Sequence, residues 1–195
     1  MARISLAPRR TPLVRLIRWY CERSYGKVLD PVMAYAHNGR VVLAISGLEL
    51  AAGRWKRADP GLKALAVMAS ATSIGCSWCM DFGYWEHHRH GMAPEKLRDV
   101  PRWRESEVYT PLERDVMAYA EAMSATPPTV TDELVERLRR HLDDAALVEL
   151  TSMVAVENLR SRTNAALGLT SQGFKDRCEV RAAGSGTAPT PPTAP

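Results

Sequence analysis

Proline sits at the head of apolar, helix-periodic runs again and again along this chain: Pro12, then Asp30-Pro31, Asp59-Pro60 and Thr110-Pro111. A short polar side chain can accept from the free N–H groups of a first helical turn, and proline there loses a hydrogen bond the helix would not make anyway. The pattern punctuates a succession of helices. "TPLVRLIRWYCERSYG" places Leu13, Leu16, Ile17 and Tyr20 on one face and ends near Gly26. "VMAYAHNG" ends at Asn38-Gly39, followed by "RVVLAISGLELAAGRW", and "GLKALAVMASA" follows Asp59-Pro60. Thr110 to Glu113 spell a capping box ahead of "ERDVMAYAEAM". Thr131-Asp132 starts "ELVERLRRHL", and Asp143-Asp144 starts a long helix that Gly168 closes. No stretch alternates with period two, so the expected fold class is all-α.

With 195 residues, the chain is long enough to build one core without disulfide staples. The net charge of +4 is uneven: residues 1–57 carry eleven Lys/Arg against Glu22, Asp30 and Glu49. No nucleic-acid motif accompanies that charge, so it reads as a solvated helix face and no nucleic-acid partner is expected. The arginines at 9, 10, 15 and 18 interrupt any leader-like apolar core, and "VVLAISGLELAAG" at 41–53 is too short to cross a bilayer and contains Glu49. No membrane association and a cytoplasmic location are expected. The tail, "AAGSGTAPTPPTAP", has no large apolar residue and reads as disordered. The expected organisation is a basic helical segment over 1–34, a main domain over 35–178 and a tail over 179–195.

Two of the four cysteines stand in "SIGCSWCMDFGYWEHHRHG", residues 73–91. Thr72 to Gly75 reads as a break, with a new helix beginning near Gly75 or Cys76 and running towards Gly91. Cys76 and Cys79 then share the first turn at i, i+3, within reach of a disulfide, and the helix terminus favours thiolate over thiol. In a reducing compartment such a pair is catalytic or metal-binding rather than a staple. Zinc is the alternative, because Cys76, Cys79, His87 and His90 spell C-x2-C-x7-H-x2-H. A continuous helix, however, carries residue 87 about 12 Å beyond residue 79, while zinc bonds are about 2 Å. Two thiols that are merely buried are the remaining alternative.

"ASATSIGCSWCMDFG", "LERDVMAYAEAMSATPPTVTDELVERLRRHL" and "DDAALVELTSMVAVENLRSRTNAALGL" resemble the carboxymuconolactone decarboxylase-like family, which includes the alkylhydroperoxidase AhpD. The resemblance spans about residues 35–175. It implies an AhpD-like helical bundle, a homo-oligomer, and a dithiol that reduces organic hydroperoxides without a further cofactor. By the same resemblance Cys79 is peroxidatic, Cys76 is resolving, and a thioredoxin- or lipoamide-like donor reduces the disulfide. The chemistry is coherent: thiolate attacks peroxide, a sulfenic acid forms, and the neighbouring thiol condenses with it. Decarboxylation of a lactone, the activity in the family name, is not built around a CxxC pair. A non-enzymatic redox sensor or helical interaction protein is the third reading.

The relay of AhpD is absent at each matching position. Gly83 stands for a histidine one turn after the second cysteine, Ala64 for a glutamate ahead of the first, and Trp78 for a histidine between the two. "CSWCMDFG" therefore marks a divergent branch. Two substitutes for the relay are expected. Glu157 lies in the apolar setting "MVAVENL", either paired with Arg160, Arg162 or Asn164 or raised in pKa by burial. His87 stands two turns beyond Cys79, which requires a water chain or a neighbouring subunit. Asp81 should point elsewhere. Trp78 and Phe82, four apart, would line an apolar pocket or simply be core. The sulfurs are expected to be side by side, accessible and primed by the helix terminus. Cys21 and Cys178 are expected to take no catalytic part.

Overall fold

The structure, a computed structural model, describes residues 2–178. Helices α1 (Pro12–Tyr25), α2 (Asp30–Tyr35), α3 (Gly39–Ala52), α4 (Pro60–Ile74), α5 (Ser77–Arg89), α6 (Pro94–Asp99), α7 (Pro111–Ser124), α8 (Asp132–Arg139) and α9 (Asp144–Leu167) follow in order, with a 3-10 turn at Val100–Arg102. Among the described residues there is no strand, as the all-α expectation requires. The expected tail, 179–195, lies outside the described residues.

Helix α4 is the axis of the core. It begins where Asp59 accepts from the N–H of Leu62, with proline in its first turn. It is apolar on all sides, the signature of a helix surrounded by others, and Leu62 and Ala64 through Ala71 are all buried. Its small residues, Ala64, Ala66, Ala69, Ser70 and Ala71, let α5, α7 and α9 approach closely. One polar seam crosses this core: the hydroxyls of Ser70 and Ser124 are 2.8 Å apart, and Asn158 Nδ2 donates to Ser124 Oγ at 2.9 Å. A buried network of this kind is satisfied on every side and fixes how α4, α7 and α9 align.

The capping box is present: Thr110 accepts from the N–H of Glu113, whose carboxylate accepts from the N–H of Thr110 at 2.9 Å. The break expected at Thr72–Gly75 is shorter than that, since α4 continues through Ile74 and closes at Gly75 in the left-handed region, φ +81°. Helix α1 corrects a second expectation. Its buried face is Val14 and Cys21 with Ile17 half-buried, whereas Leu16 is 60% exposed and Trp19 and Tyr20 also face outward. Periodicity alone cannot choose between two adjacent apolar stripes; what docks against them chooses. No helix is long and apolar enough to cross a membrane among the described residues.

Two clamps close the bundle. Arg3 donates its backbone N–H to Leu167 O and its guanidinium to the carbonyls of Ala165 and Ala166, a cation on the unpaired end of α9. The second clamp is Asp81 on α5, whose carboxylate accepts from the backbone N–H groups of Gln172, Phe174 and Lys175 at 2.7–3.0 Å. Gln172 then accepts from Trp78 Nε1 and from the N–H of Asp30, and donates to Val28 O. Burial opposes the charge on Asp81, but the N–H groups of Lys175, Phe174 and Gln172 and the Ser171 hydroxyl outweigh it and hold its pKa below the usual carboxylate range. A lowered folded pKa makes its contribution present above the unfolded value and lost as pH falls through the folded one. Asp81→Asn should therefore cost roughly 2–3 kcal/mol at neutral pH. Urea titrations of both proteins should show the gap narrowing as the pH drops below about 4.

Candidate functional site

The turn between α4 and α5 builds the site. The N–H groups of Gly75 and Cys76 both bond back to Ala71 O, at 3.0 and 2.9 Å, so the chain reverses within two residues. Cys76 then becomes the N-cap of α5, its sulfur accepting from the N–H of Cys79 at 3.2 Å. The two cysteines are joined in a disulfide with their Cα atoms 5.3 Å apart, within the ordinary range for a disulfide. The helix start expected near Gly75 or Cys76 is thus Ser77, and both sulfurs sit at the positive end of the helix dipole.

The sulfurs are not accessible as expected. In this chain Cys76 is 2% exposed and Cys79 6% exposed, and both belong to the main hydrophobic core. The covering element is α9, whose Asn164 donates Nδ2 to Cys79 Sγ at 3.3 Å and reaches Cys76 Sγ at 3.8 Å. A neutral amide on α9 is thus the side-chain donor at the pair, in a place the family resemblance did not point to. The residue falls on the same face as Glu157 and Ser161, at i, i+4 and i+7, which is the only sequence signal that could have found it.

Neither expected relay residue hydrogen-bonds to the sulfurs. Glu157 is 2% exposed and takes up both expected behaviours at once. It pairs with Arg160 at 3.3 Å and accepts from Ser161 Oγ at 2.6 Å, while burial pushes its pKa up to about 7 against the pull of Arg160 and Ser161. Arg160 also forms a two-pronged pair with Glu49 on α3. Arg162, the other expected partner, instead donates to Ser124 O, Thr126 and Asn158. Some seven residues of α9 separate Glu157 from Asn164, about 10 Å along the axis. His87 is half-buried at the far end of α5, where burial, with His90 and Arg160 nearby, pushes its pKa down to about 4. It is neutral at pH 7, a weak base, and about 12 Å along the helix from Cys79.

The empty relay position has a steric cause. A Cβ at Gly83 would stand 2.6 Å from Met68 Sδ and 4.0 Å from the His87 ring. Met68 lies on α4 one turn after Ala64, so apolar atoms fill both places where the relay pair would meet. Trp78 is part of the core and Phe82 packs against it. Their rings stack at 5.0 Å, and Phe82 meets Tyr25, Trp85 and Phe174 in one aromatic cluster. The metal pattern does not converge: Cys76 and Cys79 open one unbroken helix that carries His87 near its end. Cys21 and Cys178 are buried elsewhere.

Comparison with known proteins places this geometry. The carboxymuconolactone decarboxylase family matches residues 41–122. The Escherichia coli uncharacterised protein YnjA is 34% identical over 170 residues, covering 85% of this chain and 92% of that protein. Among solved structures, a complex of the debrominase Bmp8, as a cysteine-to-alanine variant, with 2,3,4-tribromopyrrole superposes with a TM-score of 0.79 at 19% identity, covering 93% of this chain and 99% of that one. An AhpD-core, peroxidase-related protein from Ralstonia eutropha gives 0.77 at 16% identity, covering 89% and 94%.

Two measurements follow from this geometry. Gly83→His should lose roughly 1–3 kcal/mol by overpacking against Met68. Thermal melts should show much of that loss recovered in a Gly83→His, Met68→Ala double variant, since the clash is with one side chain. Glu157 holds its proton more tightly when folded, so it favours folding at low pH and that contribution is lost as pH rises from its ordinary 4.5 through about 7. Glu157→Gln keeps one carbonyl acceptor for Arg160 and can donate its amide N–H to the Ser161 hydroxyl, and its stability relative to the native protein should rise across that window.

Proposed function

Since the chain belongs to the carboxymuconolactone decarboxylase family, we propose that it is a dithiol oxidoreductase that reduces organic hydroperoxides, with Cys79 attacking and Cys76 resolving. The observation that carries this reading is the closed Cys76–Cys79 pair at the head of α5 with a side-chain donor on the Cys79 sulfur. A disulfide between residues three apart, at a helix start, is the oxidised product this chemistry would leave.

The cycle balances with the residues present. The Cys79 thiolate attacks the terminal oxygen of the hydroperoxide, an S–O bond forms and the O–O bond breaks. The departing alkoxide takes the proton of the Cys76 thiol and leaves as an alcohol. The Cys76 thiolate then attacks Cys79 Sγ, the S–S bond forms, the S–O bond breaks, and the departing hydroxide is neutralised by the proton that Cys79 released to solvent on ionising. A thioredoxin- or lipoamide-like dithiol then restores the pair by exchange. The apolar surroundings of the pair, the stacked Trp78 and Phe82 among them, suit an organic rather than a bare peroxide, and because the sulfurs are buried, local opening has to precede attack. Self-association is part of the same reading, supported by the large apolar side chains exposed at Leu16, Trp19, Leu43 and Leu50.

Cumene hydroperoxide turnover with an excess of dihydrolipoamide tests the reading. Cys79→Ser should abolish it, by more than about a hundredfold. Cys76→Ser should stop after one equivalent, with a sulfenic acid trapped on Cys79 by dimedone. Unchanged turnover in Cys79→Ser overturns the proposal. Debromination of a halogenated arene without peroxide turnover would move the assignment to the chemistry of the debrominase. Lactone turnover in a Cys76→Ser, Cys79→Ser double variant would move it to decarboxylation.

A further inference from the structure

The helix terminus does not serve the two sulfurs equally. The N–H that α5 offers at its third position donates to Cys76 Sγ, and the donor on Cys79 Sγ is Asn164. Asn164 is 2% exposed, and its Oδ1 is buried with no hydrogen-bond partner among the described residues. An unpaired buried acceptor costs folding free energy, so its retention beside a reactive sulfur needs a reason. Its own helix supplies none: the nearby polar side chain on that face, Ser161, donates to Glu157 instead.

We propose that Asn164 is a catalytic residue that holds both atoms of the forming S–O bond, its Nδ2 donating to the Cys79 sulfur and its Oδ1 accepting from the O–H of the incoming hydroperoxide. The inference rests on the reading of Cys79 as the attacking thiol. The proton of the terminal peroxide oxygen is not transferred when that oxygen moves to sulfur; it stays on the oxygen and becomes the sulfenic O–H. One amide can therefore keep the same two contacts from substrate to intermediate, donating to sulfur and accepting from the O–H. The contact to sulfur strengthens with charge, since hydrogen bonds to ionised groups are the stronger ones. The role of the missing imidazole is thus taken by a group that titrates nowhere near neutrality. The substrate class narrows accordingly: an acceptor at this point selects hydroperoxides, which carry an O–H, over dialkyl peroxides and aryl halides, which do not. Selection of this kind follows from leaving a buried polar group unpaired with the wrong substrate.

The test separates the two contacts, and both from the functional reading. In a Cys76→Ser background, where serine retains the N-cap, the pKa of Cys79 is read from the pH dependence of iodoacetamide alkylation. Asn164→Ala should raise it by about one unit, and Asn164→Asp by more, since a carboxylate repels the thiolate. At a pH where the thiol is fully ionised, Asn164→Ala should leave the alkylation rate unchanged and slow the single-turnover reaction with tert-butyl hydroperoxide about tenfold. An unchanged Cys79 pKa in both variants overturns the Nδ2 contact. A peroxide rate that falls no further than the alkylation rate overturns the Oδ1 contact. If native Cys79 reacts with hydroperoxide no faster than a free thiol, the functional reading and the Oδ1 contact fail together, and the pKa shift alone decides the Nδ2 contact.

Discussion

Everything at the site depends on how α4 is stopped and α5 started. Gly75 takes a left-handed conformation that a side chain would strain, and it lets two consecutive N–H groups fold back onto Ala71 O. The next residue must then serve as the N-cap, and here that residue is a cysteine. The usual N-cap oxygen is replaced by sulfur, so the capping bond and the redox centre occupy the same atoms. The turn itself is at the surface, with Ser73, Gly75 and Ser77 exposed, while Cys76 and Cys79 face inward and carry the disulfide into the core.

Burial changes what can stabilise charge on the sulfurs. At a surface, water and a helix terminus would suffice; in an apolar interior each donor has to be supplied by a named group. The family relay would have supplied an imidazole and a carboxylate. In this chain Ala64, Met68 and Gly83 fill that volume with carbon and sulfur, and the missing side chain at 83 is what admits Met68. The donor comes instead from α9, through Asn164. The acid on α9 whose pKa is raised, Glu157, is committed to Arg160 and Ser161, and Arg160 in turn joins α9 to α3 through Glu49.

The far side of α5 is held just as firmly. Asp81 gathers three backbone N–H groups of the segment after α9, while Gln172 joins that segment to Trp78 and to the α1–α2 connection. The aromatic cluster around Phe82 sits beneath those bonds. Helix α5 is thereby pinned between α9 on its sulfur side and the C-terminal segment on its aromatic side. Its N-terminal turn cannot shift without breaking one set of contacts or the other, and a redox pair that must close and reopen needs that fixed separation.

The sequence by itself determined most of the helices, their caps and the closeness of the two cysteines. Proline, capping and glycine signals act over three or four residues, so Thr110–Glu113, Asp143 and Gly168 could be read from the chain alone. Cys76 and Cys79 were legible for the same reason, because an i, i+3 pair at a helix start is a local fact. The tertiary structure decided which face of α1 is buried, that the sulfurs lie sealed, that Met68 occupies the relay's place, and that Asn164, eighty-five residues from Cys79 in the chain, meets its sulfur. Those outcomes come from helices docking on α4, and docking depends on contacts between residues far apart in the chain, which no local pattern encodes.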